Sequence, residues 1–366
     1  MSLKNIHIEN FRQFRSLKLE KLSGITLIGG KNGAGKTSAL EGIYLAATEV
    51  SSKKFEEFES RRRQPESILN VSAKDFPAPW AMLFPIGVEA REIKFNYENV
   101  EDKSFELIIR QIDDVSELSD HEQSIVRSHD TSPGELKNIL ICETQCPIGK
   151  PHKHSTLMLN HNRVTQQIKV NRDALPSPHS IGAGGVYFVS TQDWSAINEL
   201  NKLYSNLKKT AGAYEKFIEI MQVMDSNIAS IEILEYRNQF QLHVTNQSGS
   251  LPISHAGDGA LRIALYAATI LASENAVVLI DEIENGLHYS LLSELWEALN
   301  KACEITGSQL VATTHSAECI RAAAQNVDDE RFTYIRLDQL SNSSTHAEYY
   351  SNSDAIESLN AGIPIR

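Results

Sequence analysis

The eight residues from Gly30 to Thr37 (GKNGAGKT) fit the pattern G-x-x-x-x-G-K-[ST] in full. Glycines in this pattern let backbone N–H groups close around phosphate oxygens, and the positive end of the following helix strengthens the attraction. Lys36 would reach the β- and γ-phosphates, and the Thr37 hydroxyl would bind Mg²⁺. A purely structural turn is the alternative. It is disfavoured because an apolar strand precedes the motif and an amphipathic helix follows it.

A pair of carboxylates and a histidine follow apolar segments later in the chain. VVLIDE places Asp281 and Glu282 at the end of one such segment, and ATTHS places His315 at the end of the next. One carboxylate can hold the Mg²⁺ shell, while its neighbour orients and deprotonates an attacking water. Adjacent carboxylates are often merely solvated, and a lone histidine more often makes a local hydrogen bond. The phosphate-binding pattern favours catalysis, which gives Asp281, Glu282, His315 and Lys36 as catalytic candidates and Thr37 and Asp281 as metal ligands.

A second group of candidate ligands is Cys142, Cys146, His152 and His154, which fall within 13 residues. Thiolate and imidazole are the ligands that zinc prefers in structural sites. The spacing is not a familiar zinc-finger spacing, and the intervening prolines and glycine are equally typical of an ordinary loop. Both interpretations stay open at the level of sequence.

The candidate catalytic residues can lie close together only if the strands that precede them end at the same edge of one sheet. The nearly all-apolar run 277–281 is typical of a strand buried on both faces of a parallel sheet. The sequence therefore predicts an α/β fold with a mainly parallel core, an antiparallel β insert and a short helical arm at 194–228. The remaining predicted strands of the core are 3–10, 17–28, 186–190, 309–314 and 332–337.

Changes in the pattern of apolar and polar residues along the sequence predict that the chain is divided into a core, an insert and a tail. Residues 1–50 and 181–340 are expected to form the core. Residues 51–180, where strands alternate with polar stretches, are expected to form an inserted subdomain of mixed β-structure and loops. Residues 341–366 read as a polar tail.

Composition and charge narrow the class of protein. The 41% hydrophobic and 22% charged shares of the 366 residues are ordinary for a globular chain. Four cysteines do not make a disulfide framework, and no apolar run reaches the length of a membrane helix. The polar start is unlike a secretory signal, so a cytoplasmic protein with no membrane partner is expected. The net charge of −12 weighs against broad, sequence-blind binding to nucleic acid.

The order of the phosphate-binding loop, IDEIENGLH and ATTHS resembles the ABC-type ATPases of the RecF, SMC and OLD group. Within that group it is most similar to the OLD-like "AAA family ATPase" proteins. The opening IHIENFRQF followed by ITLIGGKNGAGKTSALEGI is typical of their amino terminus, and the resemblance covers residues 1–50 and 181–340. It implies a P-loop NTPase fold of ABC type that uses ATP and Mg²⁺.

The resemblance also implies individual roles. Arg12 would lie near the nucleotide, Gln192 would sense Mg²⁺ and the γ-phosphate, and His315 would be the switch histidine that contacts the γ-phosphate. His288 would lie in a loop that crosses a dimer interface. The implied nucleotide-binding residues are Arg12, Gly30, Asn32, Gly33, Gly35, Lys36, Thr37, Ser38, Gln192, Gly257, Asp258 and Gly259.

The segment Gly257-Asp258-Gly259 would be the signature that meets the ATP of a partner subunit. It lacks the Ser-Gly-Gly of the transporter and SMC signature and resembles instead the G-D-G-x-x-R form of the OLD-like group. This departure bears on how tightly two subunits close on ATP and leaves the ATP site of each subunit unaffected.

The function implied is that of an ATP-binding and ATP-hydrolysing switch, which works as a homodimer or higher homo-oligomer. OLD-like proteins often carry a Toprim nuclease domain after the ATPase, and too few residues follow ATTHS for one here. A separate effector, a nuclease or a toxin, is therefore expected, as in prokaryotic anti-phage defence systems. A RecF-like DNA-repair ATPase is the alternative, with nucleic acid as the partner. A transporter subunit and a nuclease fit the motifs less well.

Overall fold

The computed structural model describes residues 2–48, 51, 80–85, 91–129, 139–146, 152–161, 164–169, 185–190, 196–236, 239–340 and 344–365. The strands in these ranges are β1 (Leu3–Phe11), β2 (Phe14–Leu19), β3 (Ile25–Gly30), β4 (Glu92–Asn99), β5 (Ser104–Ile112), β6 (Ile139–Cys146), β7 (His152–His161), β8 (Val164–Lys169), β9 (Val186–Val189), β10 (Ser230–Tyr236), β11 (Gln239–Asn246), β12 (Gly249–Pro252), β13 (Val277–Ile280), β14 (Gln309–Thr313), β15 (Phe332–Gln339) and β16 (Thr345–Tyr350). The helices are α1 (Lys36–Ala47), α2 (Asp120–His129), α3 (Ala196–Leu207), α4 (Ala213–Met221), α5 (Asp258–Leu271), α6 (Leu292–Thr306), α7 (Ala317–Asn326) and α8 (Asn352–Asn360).

The core of the fold is a six-stranded sheet in the order β16-β15-β3-β14-β13-β9. All neighbours pair in parallel except β15 with β16. Thr313 at the end of β14 pairs in register with Ile28 of β3, and Ala312 pairs with Ile280 of β13. The carboxyl ends of three strands therefore meet at one edge, where ligands bind in open α/β sheets. The predicted fold class, a mainly parallel α/β core with an antiparallel sheet, is confirmed.

Helices cover both faces of this sheet, which explains why its central strands β3, β14 and β13 are buried at every position. Leu27 of β3 belongs to the hydrophobic cluster formed with α5, α6 and α7. Ile28, the next residue, belongs to the cluster formed with α1 and the antiparallel sheet. Since successive side chains of a strand point to opposite faces, a strand buried on both sides shows no polar alternation. Helices α3 and α4, the predicted helical arm, bury Leu200 and Phe217 in the first of these clusters.

The second large sheet crosses the predicted domain boundary at residue 50. Its seven strands run β2-β1-β4-β5-β6-β7-β8, so strands of the expected core and of the expected insert belong to one sheet. Ile8 of β1 pairs with Phe95 of β4, and both side chains are fully buried. The separate folding of 51–180 stays a prediction, but its strands β4–β8 extend the sheet that the amino terminus begins.

Residues after 340, expected only as a polar tail, contain β16 and α8. Tyr349 of β16 pairs with Ile335 of β15, and Ser351 caps α8 through a capping box with Asp354. The polar composition of these residues gave no sign of a strand, because β16 lies at the edge of the sheet, where its side chains remain partly exposed. Within the described ranges, no helix has both the length and the apolar character of a membrane-spanning segment.

Gln309 ties the amino terminus to the parallel sheet. Its side chain is 1% exposed, accepts a hydrogen bond from the Leu3 N–H at 2.8 Å and donates to the Leu3 and Ser23 carbonyls at 2.9 and 2.8 Å. A buried amide that satisfies three backbone groups holds β1 and the start of β3 in place. A leucine here would have similar bulk but could form none of these three hydrogen bonds.

We therefore predict that Gln309→Leu lowers the free energy of unfolding by about 2–4 kcal/mol, the cost of orphaned buried polar groups. Urea unfolding followed by circular dichroism measures the change. Gln339→Leu, the same substitution at an exposed position of β15, is the control and should stay within about 0.5 kcal/mol of the parent. Equal stability of Gln309→Leu and its control would contradict the assigned role of Gln309.

Candidate active site

The phosphate-binding loop turns sharply between β3 and α1. Gly30 has φ +133°, and a Cβ there would lie 2.4 Å from the carbonyl oxygen of Leu337. Gly35 has φ +100°, and a Cβ there would lie 2.5 Å from the Phe14 ring. Only glycine fits at both places. Gly35 also precedes α1 without a side-chain cap, so the first N–H groups of that helix stay open to an anion.

Lys36 points its ammonium back into this loop. The side chain is 5% exposed, and Nζ donates to the carbonyl oxygens of Gly30 at 2.6 Å and Lys31 at 3.1 Å. Burial lowers the pKa of Lys36, while the charges of Glu282 and Asp281 act in the opposite direction. The Lys36 ammonium is therefore hydrogen-bonded to neutral carbonyl oxygens, and negatively charged phosphate oxygens would bind it more strongly.

Thr37 and Asp281 lie against each other, as the sequence predicts. The Thr37 hydroxyl is 3.1 and 3.0 Å from the two carboxylate oxygens of Asp281, which is 8% exposed. The Thr313 hydroxyl donates to Asp281 Oδ1 at 2.6 Å and fixes the carboxylate from the other side. Hydroxyl and carboxylate oxygens are the ligands that Mg²⁺ prefers, and a phosphate usually completes its shell. The residues present fit that ion.

Glu282 follows with its backbone in the left-handed region, at φ +49°. Two hydrogen bonds hold this conformation: Glu282 N–H donates to Thr313 Oγ1 at 2.8 Å, and the N–H of Asn285 donates to the Glu282 carbonyl at 2.9 Å. The turn directs the carboxylate towards solvent, and its Oε1 lies 3.5 Å from His315 Nε2, with both side chains 38% exposed. A carboxylate beside an imidazole can orient a water molecule and accept its proton.

Gly257-Asp258-Gly259 begins α5 and packs against the turn 284–287. A Cβ on Gly259 would lie 3.0 Å from the Gly286 carbonyl oxygen, whereas a Cβ on Gly257 would meet no atom within 4 Å. Gly257 and Asp258 are exposed. His288, the residue that follows this turn, hydrogen-bonds Ser290 Oγ at 2.8 Å and is also exposed. The segment thus presents an open surface, and its contact with ATP stays a prediction.

Arg12 lies in a buried ion pair. Its Nε is 2.7 Å from Glu41 Oε2, with side chains 8% and 2% exposed, and its Nη1 donates to the Met82 carbonyl at 3.3 Å. These contacts anchor the turn between β1 and β2 on helix α1. They give Arg12 a structural role, and its predicted contact with the nucleotide is untested.

Gln13 is the residue that sequence reasoning missed in this region. Its side-chain amide donates to the Gly33 carbonyl at 3.2 Å, and its oxygen accepts from the Ser38 hydroxyl at 2.9 Å. Gln13 therefore holds the middle of the phosphate-binding loop and the buried Ser38 that follows the loop. The available signal was its place in the amino-terminal motif, two strands away from the loop in the chain but adjacent in space.

Two further predicted nucleotide-binding residues and the four candidate zinc ligands have different outcomes. Asn32 lies on the exposed face of the phosphate-binding loop, and Gln192 falls outside the described residues. Cys142 is buried in β6, and burial raises the pKa of its thiol, which disfavours the thiolate that zinc would need. The backbones of Cys146, His152 and His154 lie on β6 and β7, so the loop interpretation is wrong for them, although their side chains are not described. The described residues contain no group of three or more potential ligands arranged around a metal.

The fold and the site together define a P-loop nucleoside triphosphatase. A parallel sheet brings the glycine-rich loop, the acidic strand end and the histidine to one edge. The family described as "AAA ATPase domain" matches residues 1–171. The family described as "AAA domain, putative AbiEii toxin, Type IV TA system" matches residues 145–321. The predicted enzyme class is confirmed: the chain is an ATPase.

Similar proteins support the same class. An "ATP/GTP phosphatase" of Helicobacter pylori is 23% identical over 355 residues, which cover 91% of this chain and 90% of the relative. A "DNA replication and repair protein RecF" of Chlorobium phaeovibrioides is 55% identical, but over only 47 residues and 13% of each chain. The crystal structure of an SMC head bound to the C-winged helix domain of ScpA covers 98% of this chain and 100% of that chain, with a TM-score of 0.52 and 15% identity. At this identity the likeness shows the fold alone.

We predict that Glu282→Gln keeps ATP binding and loses most turnover. The amide cannot accept the proton of the attacking water, and loss of a general base costs about 10²–10⁴-fold in rate. Steady-state phosphate release and titration with a fluorescent ATP analogue separate the two effects. Glu294→Gln, an exposed carboxamide substitution in the first turn of α6, should turn over ATP at the parental rate. Parental turnover by Glu282→Gln would mean that another group positions the water.

Proposed function

We propose that the chain is an ATP-driven switch whose two copies close on ATP, reopen after hydrolysis and thereby control a separate effector protein. The observation that carries the proposal is the open, glycine-lined start of α5 at Gly257. Mg²⁺ held by Thr37 and Asp281 would neutralise the phosphates of the bound ATP. The proposed setting is a prokaryotic anti-phage defence system, in which the ATPase is the sensor component.

The start of α5 has the properties of a phosphate-binding surface. The helix is 14 residues long, and Gly257 caps it without a side-chain hydrogen bond. Its first N–H groups are therefore available to an anion, and the absence of a Cβ contact within 4 Å of Gly257 leaves room for one to approach. Because Gly257 is exposed, the phosphate could come from a second copy of the chain.

The turn next to this helix supports contact between two copies. His288 and Tyr289 lie side by side with ring centroids 4.4 Å apart, and Tyr289 is 68% exposed. Exposed aromatic side chains are enriched where proteins meet. Glu282 lies two residues before this turn, so a subunit that docks here would approach the residues beside the reacting water.

The proposed role in defence is supported by the similar proteins and by the net charge of the chain. One matching family carries the name of a toxin from a toxin–antitoxin system, and the similar Helicobacter pylori protein is named as a phosphatase of ATP and GTP. The RecF match favours the alternative, a DNA-repair ATPase acting on DNA, but it spans 47 residues only. The net charge of −12 argues against broad DNA binding and favours a protein effector.

Mixing two inactive variants tests for shared ATP sites. Lys36→Ala loses ATP binding because its ammonium no longer meets the phosphates, and Gly257→Glu places a carboxylate where the partner's phosphate would lie. A heterodimer pairs the intact loop of one subunit with the intact Gly257 segment of the other. We expect about a quarter of parental ATPase activity to return in an equimolar mixture, because half of randomly formed dimers are mixed and each has one working site.

The control is a mixture of two differently tagged Lys36→Ala preparations, which should remain inactive. Capture through one tag and detection of the other establishes that mixed dimers form. Persistent inactivity of proven mixed dimers of Lys36→Ala and Gly257→Glu would overturn the shared site.

The defence role predicts that phage protection depends on the ATP site. We expect host cells carrying the gene with its chromosomal neighbours to reduce phage plaques, and Lys36→Ala to abolish the reduction. Lys209→Ala, which removes an exposed lysine distant in sequence from the loop, should protect like the parent. Unaltered plaque counts, together with loss of ultraviolet resistance in Lys36→Ala, would favour the DNA-repair alternative.

A further inference from the structure

Glu284 stands two residues beyond Glu282 and takes no part in the chemistry described above. Its Oε1 accepts a hydrogen bond from the backbone N–H of His315 at 2.6 Å. Its Oε2 is buried and, among the residues that the structure describes, has no hydrogen-bond partner. A buried carboxylate oxygen without a partner costs free energy, so packing alone does not account for a glutamate here.

The charge of Glu284 reaches groups on several elements around the site. Burial raises the pKa of the Tyr266 hydroxyl on α5 to about 12, Arg262 opposes this shift, and Glu284 adds to it. Burial likewise raises the pKa of the Cys319 thiol on α7, and Glu284 is the second cause. At Lys36 burial lowers the pKa, and Glu284 is among the carboxylates that oppose it. The charge of Glu284 therefore acts on side chains of α5, of α7 and of the phosphate-binding loop.

The turn that begins at Glu284 is clamped by α5. The Leu287 N–H donates to the Glu284 carbonyl at 3.0 Å and closes the turn. Gly286 has φ +74°, and a Cβ there would lie 3.1 Å from Nε of Arg262. On the other side, a Cβ on Gly259 would lie 3.0 Å from the Gly286 carbonyl oxygen. The start of α5 and the turn therefore lie too close together for a side chain at Gly259 or Gly286 to fit without a shift.

We propose that Glu284 is a positioning residue that holds the His315 backbone and transmits to it any displacement of the Gly257–Gly259 segment. One carboxylate oxygen grips His315, and the backbone of the same residue belongs to the turn that α5 clamps. A phosphate bound at the start of α5 would thereby alter the position of His315 beside Glu282. The transmission step rests on the proposed function, whereas the grip on His315 does not.

Hydrogen exchange of the full-length ATPase tests the grip without reference to activity. In Glu284→Ala, peptides that contain the His315 amide should exchange at least about tenfold faster than in the parent, because the amide loses its acceptor. Glu284→Gln, whose amide oxygen still accepts, should exchange like the parent. Glu294→Ala controls for loss of a carboxylate from the surface. Equal exchange in Glu284→Ala and the parent, or acceleration throughout the protein, overturns the proposal.

Turnover then separates positioning from a structural role. We expect Glu284→Ala to lower kcat by about 10- to 100-fold at nearly unchanged KM for ATP, a cost typical of a misplaced catalytic group. If Glu284 acts through His315, the double variant Glu284→Ala/His315→Ala should be no slower than His315→Ala alone. Losses that add in full overturn the proposal, and restoration of kcat by Glu284→Gln supports it.

Gly259→Ala tests the transmission. Its methyl group would press on the Gly286 carbonyl oxygen, 3.0 Å away, while α5 tolerates alanine in its first turn. We expect faster exchange at His315 in this variant, with the exchange of α6 unchanged. Parental exchange at His315 would overturn transmission from α5. Since exchange needs no second subunit or effector, failure of the mixing experiment and failure of this one are distinct outcomes.

Discussion

The carboxylate of Asp281 is the group on which the rest of the site depends. It is almost completely buried, and a buried charge is tolerated only where hydrogen bonds replace its water. The hydroxyls of Thr37 and Thr313 supply those bonds. Asp281 thereby joins the start of α1, the end of β13 and the end of β14, and this junction places its carboxylate and the Thr37 hydroxyl beside the phosphate-binding loop.

Strained backbone conformations at the site are stabilised by hydrogen bonds from residues outside each strained segment. Glu282 adopts a left-handed conformation that costs free energy for a residue with a side chain. Thr313 compensates by accepting the Glu282 N–H while it donates to Asp281, so one hydroxyl fixes two adjacent acidic residues. The glycine-rich loop is held similarly, by Gln13 from the turn between β1 and β2. The chemistry of the strand ends thus relies on neighbouring elements for its geometry.

The same organisation links the site to the surface. Apolar packing fixes α5 against β13 through side chains such as Ile263 and Ile280. Its exposed start contacts the turn that begins at Glu284, and the Glu284 carboxylate accepts a hydrogen bond from the His315 N–H. The exposed start of α5 and the backbone of His315 are therefore separated by a few direct contacts, which is what the proposed coupling between them requires.

The sequence by itself determined the local chemistry. Each candidate catalytic segment follows a strand that is recognisable from its apolar residues, because short-range patterns indicate where a strand ends. These segments are the loop from Gly30 to Thr37, the pair Asp281-Glu282 and His315. The parallel pairing of the core strands was expected because the run 277–281 is apolar throughout, and the ATPase class was expected from the resemblance that these motifs carry. Only the tertiary structure decided which distant side chains support these residues. Thr313 bonds Asp281 across 32 residues, Gln13 bonds Ser38 across 25, and Glu284 bonds His315 across 31. Arg12 forms a buried ion pair with Glu41. Likewise β4–β8 joined the sheet of β1, and residues after 340 folded on β15, because pairing between strands depends on neighbours that no local pattern encodes.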